Sequence, residues 1–233
     1  MLKHIPFKSL YTSENEWLKS RFHFSFAEYY NADNINYGSL RVMNDDLIKA
    51  KKGFGTHPHR DMEIITYVIK GELTHKDSMH NKETLRRGDI QYMSAGTGIT
   101  HSEMNDGEEE LHLLQTWILP QQKALTPQYG SKRFSLEERQ NRWLHLVGPR
   151  GSNAHINIYQ DASMYVSEID DNQKLTFVLP NGHKLYIKLL EGSAYINGLL
   201  FESGDAAELK DQDLDVKAIK NTHILLVKIK KVN

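Results

Sequence analysis

Two stretches of this chain, Gly53-Phe54-Gly55-Thr56-His57-Pro58-His59-Arg60-Asp61-Met62-Glu63 and Gly96-Thr97-Gly98-Ile99-Thr100-His101-Ser102-Glu103, each carry two metal-competent side chains separated by one residue. Successive side chains of an extended strand alternate sides, so residues so spaced share a face. The pattern therefore asks for strands, and two such strands can aim four donors at one point. His57, His59 and His101 offer imidazole nitrogens and Glu103 a carboxylate, a set suited to iron, copper, nickel, manganese or zinc. Thiolate ligation is excluded, because the chain has no cysteine. Any one of these histidines alone reads as an ordinary polar strand end. Two pairs, each flanked by glycines, point to a metal centre.

The surrounding sequence is written for β-structure. Glu63–Asp77 is rich in β-branched and aromatic residues and broken by Gly71, which reads as two strands turning a corner. Gly88-Asp89 punctuates two more short strands, and Leu111–Pro120 is an apolar run ended by proline. Short strands with glycine turns and little helical periodicity predict an antiparallel barrel or jelly roll, whose inward side chains would enclose the metal beneath an apolar pocket. Ser13–Leu18 has the cap-then-acid pattern of a short helix start, and Phe22–Phe26 alternates as a strand with its aromatics turned to a core and His23 at the surface or supporting a ligand rather than acting as one. Leu40–Ile48 reads as a strand interrupted by a turn at Asn44-Asp45-Asp46.

From Thr126 to Trp143 the texture becomes that of a connector, with a capping-box helix at Ser135–Arg139. Beyond it, Leu190-Glu191-Gly192 echoes Ile69-Lys70-Gly71, and Glu202-Ser203-Gly204-Asp205 echoes Arg86-Arg87-Gly88-Asp89. These echoes predict a second copy of the β unit. Two domains follow, residues 1–133 with the metal site and residues 134–233 without one, since His155, His183 and His223 stand alone.

A formal net charge of -1, from 29 basic and 30 acidic side chains, provides no overall field for nucleic acid or an anionic membrane. Lys49, Lys51 and Lys52 beside the histidine pair read as a solvated loop, with a small protein-partner patch as the alternative. No apolar run suggests a signal peptide or a membrane span, and the absence of cysteine fits a reducing compartment, so the expectation is a cytoplasmic protein.

The motifs around His57-Pro58-His59, Glu63, Gly71, Gly88-Asp89, Gly96 and His101 resemble those of cupin barrels. More narrowly, they resemble the pirin branch, the bicupins that include bacterial quercetinases. The resemblance implies an all-β chain of two cupin jelly-roll domains. Many cupins take their carboxylate ligand from the position of Glu63; pirin-like proteins take it from the His-x-Glu pair, here Glu103. Glu63 would lie roughly 13 Å beyond His59 on a straight strand, so support of a ligand histidine is the role left to it.

What the resemblance implies is one divalent transition metal per chain, iron first, with copper, manganese, nickel, cobalt or zinc as alternatives. The implied activity is dioxygen-dependent opening of the central ring of a flavonol such as quercetin, with release of carbon monoxide and Glu103 as base. Phe54, Met93 and Gln115 are expected near the pocket. The rival reading, also implied by the resemblance, is a metal-sensing regulatory protein that binds a partner without turnover.

Overall fold

The computed structural model describes residues 1–231 and is built almost wholly of antiparallel strands, which form two compact units of cupin type. One unit comprises Tyr11–Arg133 with Ile158–Gln160; the other comprises Met1–Leu10, Phe134–Asn157 and Asp161–Asn233. The second unit takes in the start of the chain because Leu2–Ile5 pairs with Ala206–Lys210.

The first unit is a jelly roll of two sheets. A seven-stranded sheet runs, in spatial order, Gln128–Lys132, Ile90–Ser94, Glu63–Lys70, Leu111–Ile118, Leu40–Ile48, Leu18–Phe22 and Tyr11–Glu14. A four-stranded sheet runs Lys52–His59, Ile99–Asn105, Leu73–Asp77 and Lys82–Leu85. Ile48, Val68, Leu73, Leu85, Leu111 and Leu113 pack as one buried cluster, and Ile64, Met93, Ala95 and Ile99 as another. At roughly 1.5–3 kcal/mol for each fully buried aliphatic side chain, these clusters anchor the sheets. Met93 belongs to this packing.

The second unit is organised on a nine-stranded sheet whose long strands, His183–Ile196 and Leu214–Lys230, pair with each other. An apolar cluster fills it, with Leu185, Ile187, Leu189, Phe201, Leu209, Leu214, Ile224 and Leu226 packed together. The sequence echo is repeated in backbone hydrogen bonds. Gly88 N–H donates to Val68 and Gly204 N–H to Leu189; Val68 N–H returns to Asp89 and Leu189 N–H to Asp205. The carboxylates of Asp89 and Asp205 accept the backbone N–H groups of Arg86 and Glu202 respectively. The expected short helix is present at Leu136–Arg139, with Glu138 accepting the Ser135 N–H at 2.7 Å. His183 meets the Asn181 carbonyl, and His223 meets the carboxylate of Glu191 on the paired strand.

Three local expectations fail. Ser13–Leu18 is not a helix: Tyr11–Glu14 and Leu18–Phe22 form a hairpin, because the Asn15 side chain accepts the N–H groups of Trp17 and Leu18 and closes a turn. Asn44-Asp45-Asp46 is not a turn but the middle of the nine-residue strand Leu40–Ile48. Its acids are satisfied by long-range partners, Asp45 by His112 Nε2 at 2.6 Å and Asp46 by the Ser20 hydroxyl, so they need no turn. Finally, Phe22–Phe26 is not a strand: the strand that begins at Leu18 ends at Phe22, and His23 beyond it is buried, which removes the surface reading of that residue.

Candidate metal centre

His57 and His59 stand on Lys52–His59, an edge strand, where Pro58 removes an N–H that the sheet does not need. The neighbouring strand Ile99–Asn105 is paired so that His101 faces His57 directly. The three imidazoles form one cluster, with ring centroids 4.8 Å apart for His57 and His59, 4.5 Å for His57 and His101, and 4.9 Å for His59 and His101. Their ligating atoms lie within 4.8 Å of one another.

Glu103 is placed differently from its three expected companions. Between His101 and Glu103 the pairing with the histidine strand slips by one residue, so that Glu103 faces Phe54 rather than Gly55. Such a bulge re-aims a side chain. Glu103 groups with His101 and a further histidine, His75, again within 4.8 Å, while lining the same cavity as His57 and His59. The slip is possible because position 53 is glycine: a Cβ there would fall 2.3 Å from the Glu103 carbonyl oxygen.

The Glu103 carboxylate is firmly held. Oε1 accepts from Gln91 Nε2 at 2.6 Å and from the Thr66 hydroxyl at 3.2 Å, and Oε2 from Gln115 Nε2 at 2.6 Å. The Gln115 oxygen in turn accepts the Trp117 indole N–H at 3.0 Å. Glu63, by contrast, is buried and accepts the hydroxyls of Tyr92 and Ser94.

The histidines suit a metal. His101 is 1% exposed, and neither of its ring nitrogens meets a hydrogen-bond partner. A buried polar atom left so costs about 1–3 kcal/mol, and a cation that takes its lone pair removes that cost. His57 Nδ1 donates to the Gly55 carbonyl at 2.8 Å, which leaves Nε2 with a free lone pair. Burial, followed by the neighbouring rings of His101 and His57, lowers the pKa of His59 to about 4. Burial, then His57 and His75, lowers that of His101 to about 3. Both rings are therefore neutral at pH 7 and need lose no proton to ligate.

Above the cluster lies a cavity of about 390 Å³ whose lining includes Trp17, Phe22, Phe26, Phe54, Trp117, Asn44, Asp46 and Gln115. Phe54 and Gln115 were expected there. His75 was not singled out, although His75-Lys76-Asp77 has the same one-residue separation as the other pairs. It is fully buried, bonded through Nε2 to Asp77 at 3.2 Å, and stacked on Tyr129 at 4.4 Å between ring centroids.

Residues 6–118 match the pirin family profile, and residues 145–229 match the quercetinase C-terminal cupin domain. A Pseudomonas aeruginosa protein that carries a provisional quercetin 2,3-dioxygenase name is 41% identical over 231 residues, 98% of this chain and all of that one. The chain belongs to the pirin family. The quercetin 2,3-dioxygenase of Escherichia coli K12 is 39% identical over 212 residues, covering 90% of each chain. The structure of the bacterial pirin YhhW from Escherichia coli in complex with nickel(II) superposes with a TM-score of 0.92 at 35% identity, covering all of both chains. Pirins of this kind are two-cupin proteins, which accounts for the repeated backbone pattern above. Among the described residues, no helix is long and apolar enough to cross a membrane.

Proposed function

We propose that this pirin is a metal-dependent dioxygenase that opens the central ring of a flavonol such as quercetin, with release of carbon monoxide. His57, His59, His101 and Glu103 would hold one divalent transition metal, iron foremost. The names of its relatives support the reaction class. The observation that carries the reading is His101, a buried imidazole with both nitrogens unpartnered beside an aromatic-lined cavity.

When bound, the metal would supply Lewis acidity toward the flavonol hydroxyl and a site for electron exchange with dioxygen. The remaining work falls to the chain. Trp17, Phe54 and Trp117 present ring surfaces on which a planar substrate can rest and from which water is displaced. Gln91, Thr66 and Gln115 fix the orientation of the Glu103 carboxylate, so it need not reorganise during the reaction. Of its two oxygens, Oε2 accepts one hydrogen bond and Oε1 two, so Oε2 is the better placed to take the proton of the flavonol 3-hydroxyl. Loss of that proton makes the central ring electron-rich enough to react with oxygen.

Carbon monoxide release from quercetin by the metal-loaded protein tests the proposal. Full metal occupancy with no carbon monoxide would refute it.

A further inference from the structure

The cavity wall contains polar groups that neither the metal centre nor the Glu103 network uses. Asn44 and Asp46, two apart on Leu40–Ile48, share its inner face and line the cavity, 4% and 2% exposed. Asp46 faces Ser20 in the register and accepts its hydroxyl. Asn44 faces Gln115, but the Gln115 amide is already committed to Glu103 and Trp117. The Oδ1 atom of Asn44 is buried and meets no donor within the protein. Such an acceptor destabilises the fold unless something in the cavity donates to it. On the same face of the strand, Val42 and Ile48, two and four positions from Asn44, are apolar, so a buried amide is not the rule along this face.

The chemistry of the donor can be narrowed. The lining includes Glu28, Asp46 and Glu103 and, among the described residues, no lysine or arginine, so anionic groups such as phosphates are disfavoured. The same cavity is lined by aromatic side chains, among them Trp17 and Phe54, which meet edge to face at 5.2 Å between ring centroids. A neutral hydroxyl on the rim of a planar aromatic satisfies both the acceptor and these rings. We infer that Asn44, together with Asp46 and Ser20, reads the hydroxyl groups of a planar polyphenol remote from its metal-binding edge, and thereby sets which aromatic ligands the site accepts. This deepens the flavonol reading above and rests on it for the ligand's anchored end.

The test is a binding titration of the metal-loaded protein under nitrogen, so that turnover does not deplete the ligand, read by quenching of tryptophan fluorescence. Quercetin is compared with 3-hydroxyflavone, which keeps the chelating 3-hydroxy-4-keto edge and lacks the other hydroxyls. The wild type should bind quercetin roughly tenfold tighter or more. In Asn44→Leu the preference should shrink to about threefold or less through weaker quercetin binding, and Asn44→Ala serves if the leucine variant does not fold. Equal binding of the two ligands by the wild type overturns the inference whatever the variants do. So does an unchanged preference in a folded Asn44 variant, with the flavonol reading left standing. If the wild type binds neither ligand, the inference falls together with that reading.

Discussion

Gln115 donates its side-chain amide to Glu103 Oε2 at 2.6 Å while its own oxygen accepts the indole N–H of Trp117 at 3.0 Å. The amide therefore cannot flip without losing both partners, and the carboxylate is locked between Gln115 on one sheet and Gln91 on the same sheet, two strands away. Gln115→Leu removes a charge-assisted hydrogen bond of about 1.5–3 kcal/mol. Turnover should fall roughly tenfold to a hundredfold, with most of the metal retained. Steady-state rates alongside elemental analysis of the same preparation check this; unchanged turnover would show that the lock is dispensable.

His101 carries a stability cost in the metal-free protein, because its buried ring nitrogens lack partners. His101→Leu should abolish metal binding yet raise the stability of the metal-free form by about 1 kcal/mol or more. Urea denaturation of both metal-free proteins measures the difference. A clear loss of stability would mean that the ring is satisfied by groups within the fold.

Acid should unfold the metal-free protein in a defined window. Burial depresses the pKa values of the folded protein, to about 4 for His59 and about 3 for His101, below the ordinary imidazole value of 6.5. Between these limits the unfolded chain binds more protons than the folded one, so stability is fully present above about pH 6.5 and is lost as pH falls through 4 toward 3. Tm followed across this range should drop more steeply in the wild type than in a His59→Leu/His101→Leu double variant. Parallel curves would contradict the pKa order.

Gly53→Ala should damage the centre without touching a ligand. The added Cβ would fall 2.3 Å from the Glu103 carbonyl oxygen, and position 53 has φ of 158°, so the bulge that aims Glu103 must shift. Metal affinity should weaken roughly 10–100-fold, as for loss of a supporting contact. Competition with a chelator reads this, and wild-type affinity would show that the bulge tolerates the methyl.

Much of this was legible in the sequence, and what was not has local causes. Alternation puts His57 and His59 on one face of their strand, pairing with the neighbouring strand then sets His101 beside them, and the glycine-aspartate echoes foretell the repeated hydrogen bonds of Gly88 and Gly204. Parity could not foresee the register slip after His101, since a bulge is one extra residue in the partner strand and leaves the spacing unchanged. Asn44-Asp45-Asp46 looked like a turn because its partners, Ser20 and His112, are distant in sequence. Asn15 was hidden for the opposite reason, as its side chain builds a turn from a pattern that also caps helices.

Oxygen uptake on adding quercetin to the metal-loaded protein, with His101→Ala treated identically, tests the central claim most directly. The account predicts quercetin-dependent consumption of dioxygen by the wild type and none by His101→Ala, which should remain folded and lack metal. A wild type that holds one ion per chain and consumes no oxygen, or a His101→Ala protein that keeps pace with it, would contradict the account.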